Sequence, residues 1–272
     1  MDVTMRNVIY QYWDGELTPG VKAGIAAMKK YAESIGAEYI FDDNPRWQTK
    51  LGKYSPHYGA FLPLFDDRFD DYDYILFVDT DVIPTDNCKE NIFEQFYDAP
   101  EIEVGICEEW MQPQIRTEVT VGGINSANDN RWAHAIKSVW GVDVPRTDDG
   151  LVRVYNSGVV VYSKAGRLRA QDRFVPFRQY VMLIESMQLP PFYTCDQPYL
   201  SAMLDVGNFE AVIMDYKWNS VVCYKPGTKD PRPVNDYRDN ANFVHVMLNG
   251  KHHFDEQKLW RVANKPVEEW DL

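Results

Sequence analysis

Hydrophobic and polar positions along the chain switch repeatedly between a period of two and a helical period. Asn7-Val8-Ile9-Tyr10-Gln11-Tyr12-Trp13 predicts a first strand, stopped by Asp14-Gly15. Thr18-Pro19 then suits a helix start, and Val21, Ile25, Met28, Ala32 and Ile35 recur at spacings of 4, 3, 4 and 3, a single apolar face ended by Gly36. Ala37–Phe41 predicts a second strand. Strand, helix and strand with short joints form a βαβ unit, which implies a parallel pair and a right-handed crossover. Further on, the pattern predicts a helix around His57–Phe65, a fully apolar strand Tyr74–Val78, a helix near Lys89–Tyr97 and a strand Glu103–Cys107. The polar stretch Glu108–Asn130 reads as a long loop near the active face, followed by a helix Arg131–Trp140. Val152–Tyr162 is β-rich but interrupted by Asn156-Ser157-Gly158; helices around Ala165–Gln188 and Gln197–Leu204 and strands Phe209–Tyr216 and Asn242–Met247 complete the reading. Lys225–Asp239 is the most linker-like segment, yet too little chain follows it to form a second domain. The expectation is one α/β domain over residues 1–272, with a mostly parallel central sheet flanked by helices.

Composition narrows what such a domain can do. Of 272 residues, 45% are hydrophobic and 14% aromatic, enough for a real core. A net charge of −13, from 41 acids against 28 bases, argues against nucleic acid or an anionic membrane as a general partner. Any anionic substrate then needs local bases or a metal ion. Cys88, Cys107, Cys195 and Cys223 lack paired spacing and read as free thiols in a reducing compartment. The N-terminus lacks the apolar stretch of a signal peptide and no apolar run reaches membrane-spanning length, so the expected location is the cytoplasm, with no transmembrane segment.

The chemistry concentrates where the apolar strand Tyr74–Val78 ends in Asp79-Thr80-Asp81, with Pro84 unable to continue a central ladder. Acids at i and i+2 share a face, and open α/β sheets bind ligands at the carboxyl ends of their strands. Two partly buried carboxylates repel unless a proton or cation neutralises them, so a divalent metal holding phosphate oxygens is the economical reading; the plain alternative is solvated strand-end acids. Asn156-Ser157-Gly158 inside a strand marks either a structural bulge or the close approach of a ligand. His245, in Phe243-Val244-His245-Val246-Met247, is either a hydrogen-bonded core residue or the nitrogen that completes the two-Asp set, and Gly250-Lys251 could meet a diphosphate. Asp196-Gln197 before Pro198 reads as a helix N-cap or as an acid and amide facing a hydroxylated substrate. Tyr10, Tyr12 and Trp13 could stack on a base or simply pack.

Taken in order, Asp79-Thr80-Asp81, Tyr155-Asn156-Ser157-Gly158-Val159, Asp196-Gln197, Tyr216-Lys217-Trp218-Asn219 and His245 ahead of Gly250-Lys251 resemble a GT-A-type glycosyltransferase. The nearest group is that of glycogenin and the lipopolysaccharide galactosyltransferases, and the resemblance runs from about residue 7 to 254. It implies a single GT-A (Rossmann-like) domain that transfers a sugar from a nucleotide-diphosphate donor to an acceptor hydroxyl of a glycan, glycolipid or glycoprotein, with retention of configuration. The donor is expected to be a UDP-sugar ahead of a GDP-sugar, held through Mn²⁺ or Mg²⁺. By the same resemblance, Asp79, Asp81 and His245 are the metal ligands and Lys251 with Gly250 meets the phosphates. Tyr10, Gln11 and Tyr12 lie by the base, Thr80, Ser157 and Gly158 by the donor, and Asn156, Asp196 and Gln197 beside the transferred sugar. Two departures stand out. The helix before the acidic strand, His57–Leu64, carries no Lys or Arg, leaving Lys50 or Lys53 as substitutes, and Lys251-His252-His253-Phe254 replaces the group's Lys-Pro-Trp.

Two other readings compete. Asp79-Thr80-Asp81-Val82-Ile83 also resembles the first motif of haloacid-dehalogenase-like, Mg²⁺-dependent phosphohydrolases, with Asp148-Asp149-Gly150 as the distal acids. Against it, more than seventy residues precede a motif that normally opens that family's chain. A non-catalytic carbohydrate-binding protein on the same scaffold is the third reading.

Overall fold

The computed structural model describes residues 5–109, 123–224, 231–233 and 240–272, with the backbone alone for 231–233. The opening βαβ unit forms as the periodicity implies. β1 (Asn7–Trp13) pairs in parallel with β2 (Glu38–Asp43), Val8 opposite Glu38, across the helix α1 (Pro19–Ile35). Pro19 occupies the first turn, and Gly36 ends α1 at a φ of +70°, which a side chain would resist. Thr18 does not cap the helix; its hydroxyl donates to the His252 carbonyl instead, tying α1 to the C-terminal segment.

Six strands make the central sheet, in the order β2-β1-β3-β6-β5-β7. Here β3 is Tyr74–Val78, β5 Val104–Glu108, β6 Tyr155–Ser163 and β7 Ala211–Ile213. Only β6 runs against its neighbours, so the sheet is mostly parallel as expected. Every residue of β3 and β6 is buried because both faces of the sheet are covered. Alternation assigns Val160 and Tyr162 to one covered face and Val159 and Val161 to the other. The first face carries α4 (Ser126–Trp140), α5 (Lys164–Arg173), α6 (Phe177–Ser186) and α7 (Asp196–Val206), with Tyr58, Phe61, Phe174, Phe177 and Tyr199 interlocked as edge-to-face and tilted rings. The second face takes Met28, Tyr31 and Ala32 of α1.

A second sheet, β4-β10-β8-β9, combines β4 (Val82–Pro84), β8 (Ser220–Tyr224), β9 (Pro231–Pro233) and β10 (Phe243–Val246). Pro84 ends the edge strand β4, where its missing N–H breaks no central ladder. The C-terminal helix Glu256–Asn264 covers this sheet through Leu259, Val262 and Ala263, joined by Trp270. Asp79-Thr80-Asp81 is therefore the crossing point at which the chain leaves one sheet and enters the other.

Several segments differ from the periodic reading. His57–Phe65 is a tight three-residue-per-turn helix, Ser55–Phe61, with one α-turn after it, α2 (Leu62–Phe65), and Lys89–Tyr97 is helical only over α3 (Glu94–Tyr97). Ala165–Gln188 divides into two helices at Pro176, whose ring cannot sit inside one. Phe209–Tyr216 pairs only over Ala211–Ile213, and β8 and the C-terminal helix are additions. In the expected loop Glu108–Asn130, Glu108 belongs to β5 and α4 begins at Ser126, with the Asn125 side chain accepting from the Asn128 N–H; residues 110–122 lie outside the described residues. The four cysteines are free, and burial pushes the Cys88 thiol up to about 12. Among the described residues, no helix is long and apolar enough to cross a membrane.

Candidate active site

The crossing turn is held from three sides. The Asp79 N–H donates to the Gly158 carbonyl at 2.9 Å, and the Asp79 carbonyl accepts from Gln11 Nε2 at 3.0 Å. The Asp81 carbonyl accepts from the Val246 N–H at 2.9 Å, so β6, β1 and β10 all fix the turn. α1 lies directly on it: a Cβ on Gly24 would land inside the Thr80 carbonyl. Both acids thus face one point although they sit in a turn rather than a strand. His245, buried on β10, is the third member, and one ligand atom from each of Asp79, Asp81 and His245 lies within 4.8 Å of the others.

Charge in this corner is divided unevenly. His245 Nε2 lies 3.4 Å from Asp81 Oδ1, and the Lys251 ammonium pairs with the other Asp81 oxygen. Burial raises the Asp81 carboxyl, but the Lys251 ammonium beside it outweighs burial and holds the group well below the usual carboxylate range. Asp79 goes the other way: burial, then the charges of Asp81 and Asp196, push it well above that range. Among the described residues, no hydrogen-bond donor meets the Asp79 carboxylate. Two carboxylates and an imidazole, one carboxylate without a partner, suit Mn²⁺ or Mg²⁺ with open positions for a ligand.

A cleft of about 420 Å³ opens from these residues. Opposite them stands the bulge of β6: Ile106 of β5 faces Val160, whereas Cys107 faces Asn156. Ser157 to Val159 have no partner on β5, and at this point Gly158 packs against His245: a Cβ on Gly158 would come 2.8 Å from its Nδ1. Asn156 is buried and bonded on both sides of its amide. Its Oδ1 accepts from the Gly158 N–H (2.9 Å) and from Asn219 Nδ2 (2.8 Å), and its Nδ2 approaches Gln197 Oε1 at 3.5 Å. Gln197 Nε2 donates to Glu109 at 3.1 Å, and Asn219 Oδ1 lies 3.0 Å from His245 Nδ1. Asp196 opens α7 without capping it; its carboxylate lies 3.6 Å from His57 Nδ1 across the cleft.

Of the expected site residues, Tyr12, Asp79, Thr80, Asp81, Asn156, Ser157, Gly158, Asp196, Gln197, His245 and Lys251 line this cleft together. Three do not. Tyr10 is fully buried against Phe69 and Phe77, with its hydroxyl on Asp42, because the core under β1 claims that face. Gln11, on the opposite face, is sealed between the Asp79 carbonyl and the Tyr39 hydroxyl and acts as a strut. Gly250 is exposed at a φ of +77° and turns the chain so that Lys251 reaches Asp81. Lys50 and Lys53 do not line the cleft; His57 does, its backbone carbonyl accepting from Tyr12 with that of Pro56. Sequence reasoning missed Asn219 and His57 as contributors. Asn219 followed Trp218 in a segment noted above, but only the packing of two sheets shows what its amide meets.

No protein-family model matches the chain, and no curated protein matches it in sequence. Solved structures do share its architecture. A glycosyltransferase involved in glycosylation of the major capsid of PBCV-1 superposes with a TM-score of 0.52 at 11% identity, over 95% of this chain and 98% of that one. The galactosyltransferase LgtC, in complex with donor and acceptor sugar analogs, gives 0.52 at 12% identity over 94% and 95% of the two chains. Mouse xyloside xylosyltransferase 1 gives 0.50 at 14% identity over 89% and 97%. At such identities the likeness is one of fold, and the fold is that of the GT-A glycosyltransferases.

Proposed function

We propose that this chain, acting as one domain, is a metal-dependent glycosyltransferase that moves a sugar from a nucleotide-diphosphate donor to an acceptor hydroxyl. The observation that carries the reading is the meeting of Asp79, Asp81 and His245 at the mouth of a cleft that also holds Lys251, Asp196 and Gln197. Asp79, Asp81 and His245 would hold Mn²⁺ or Mg²⁺, which when bound supplies Lewis-acid charge at the leaving diphosphate. Lys251 adds an ammonium on the same side. Tyr12 and Trp13 offer flat surfaces for the base, and Asn156, Asp196 and Gln197 offer acceptors and donors to sugar hydroxyls. A UDP-sugar ahead of a GDP-sugar is the expected donor, and retention of the anomeric configuration the expected outcome. The phosphohydrolase reading loses its distal acids, since Asp148 and Asp149 sit in an exposed turn and do not line the cleft.

A panel of UDP- and GDP-sugars with and without Mn²⁺ tests this by thermal shift and by release of free nucleotide. One nucleotide sugar is expected to stabilise the chain only when metal is present, by about 2.7 kcal/mol at a hundredfold excess over Kd. Stabilisation that ignores metal, or none from any donor, would refute the proposal. Binding without any nucleotide release over a broad acceptor set would instead favour a carbohydrate-binding protein.

A further inference from the structure

Both nitrogens of the His245 ring face acceptors, and a neutral imidazole has only one proton to give. Nδ1 lies 3.0 Å from Asn219 Oδ1, and Nε2 lies 3.4 Å from Asp81 Oδ1. The polarity of the surrounding amides decides which side receives it. The Gly158 backbone N–H can only donate, so the Asn156 atom that meets it at 2.9 Å is the carbonyl oxygen. The same oxygen meets Asn219 at 2.8 Å, so Asn219 turns its NH₂ there and its oxygen toward His245. Reversing Asn219 would set its oxygen against that of Asn156, which the backbone pins. Asp81 has the Lys251 ammonium as a partner and does not depend on the ring for one. Asn156, Asn219 and His245 are all at least nine-tenths buried, so water does not readily supply a substitute.

We propose that Asn219 is a positioning residue: it holds neutral His245 as the Nδ1–H tautomer and thereby turns the Nε2 lone pair toward Asp79 and Asp81. The use of that lone pair by a divalent cation rests on the metal-site reading above; the tautomer does not. Partners of this kind set which ring nitrogen can ligate, and removing one typically weakens metal affinity about 10–100-fold. Gly158 is the hinge of the arrangement. It supplies the N–H that orients the first amide and leaves the space that the imidazole fills, since a Cβ there would strike both the ring and Asn156 Oδ1. The other side of the same Asn156 amide faces Gln197, so one backbone N–H sets the orientation of groups at both the cation corner and the sugar side.

The test is the long-range ¹H–¹⁵N spectrum of the metal-free protein at a pH where the ring is neutral, with His245 assigned by comparison with His245→Gln. Nδ1 is expected to be the protonated, pyrrole-like nitrogen and Nε2 the pyridine-like one. Asn219→Ala is expected to shift the proton toward Nε2 and, in a Mn²⁺ titration followed by electron paramagnetic resonance, to weaken binding about 10–100-fold. A wild-type ring protonated at Nε2 overturns the proposal, as does a folded Asn219→Ala with unchanged tautomer and affinity. Should Asn219→Ala fail to fold, the wild-type spectrum still decides. If the tautomer is as stated but the wild type binds no divalent cation, the positioning role stands and the metal-dependent transferase reading fails.

Discussion

The two sheets that meet at Asp79-Thr80-Asp81 are built differently. The six-stranded sheet grows from a local βαβ unit and from strands such as β3 and β6 that are buried along their whole length. The four-stranded sheet gathers segments of three to five residues from around positions 82, 220, 231 and 243, and depends on the C-terminal helix and Trp270 for its cover. The first rests on long, fully buried strands; the second is a short, non-local assembly and is expected to be the weaker of the two. The proposed cation site takes Asp79 from the end of the first and His245 from the second, with Asp81 between them. A bound cation would therefore fasten the weaker sheet to the stronger one.

That contrast can be broken most strongly at Trp270, which is 1% exposed and donates from Nε1 to the Lys265 carbonyl. Trp270→Ala is expected to cost about 3–5 kcal/mol. In hydrogen exchange, amides of β8 and β10 should lose protection before those of β1 and β3. Equal loss in both sheets would show that they unfold as one unit.

Next in size is Gly24→Ala, expected to cost about 1–3 kcal/mol and to weaken Mn²⁺ binding, because the new Cβ forces α1 off the Thr80 carbonyl. Gly36→Ala is its control. It meets open space but strains a φ of +70°, so stability should fall with cation affinity unchanged. If both variants alter Mn²⁺ affinity alike, the contact at Thr80 is not what couples α1 to the site.

A smaller effect belongs to the six-stranded side alone. Burial pushes the Asp205 carboxyl, near the end of α7, up to about 7, with Arg153 opposing. The folded state thus holds this proton more tightly than the unfolded chain, where an aspartic acid titrates near 3.9. The contribution is intact below that value and is lost as pH rises through about 7. Asp205→Asn should therefore raise Tm relative to wild type at pH 8, the difference shrinking to nothing near pH 4, with or without Mn²⁺. A gain that persists at pH 4 would assign the effect to packing rather than to ionisation.

The same contrast explains what could be read from the residues. β3 ending in two acids, the amphipathic α1 and its parallel strands are local patterns, and they announce both the fold and one side of the site. Asn156-Ser157-Gly158 was legible as a bulge or a point of ligand approach, though its packing against His245 was not. β8 and the C-terminal helix escaped because their apolar positions are few and acquire meaning only against each other. Tyr10 and Gln11 share a strand with Tyr12, yet only Tyr12 reaches the cleft, since the aromatic packing around Phe69 and Phe77 ends beneath it. His57 lay in a segment searched for Lys or Arg, and its 3.6 Å approach to Asp196 is set by the fold rather than by spacing.

The central claim is that one divalent cation sits where the two sheets meet. Crystals grown with Mn²⁺ and a nucleoside diphosphate, measured for anomalous scattering from manganese, test it most directly. The expected result is a single strong peak bounded by Asp79, Asp81 and His245 Nε2, lost in Asp81→Asn crystals. A nucleotide seated in the cleft without such a peak, or manganese bound elsewhere, would contradict the account.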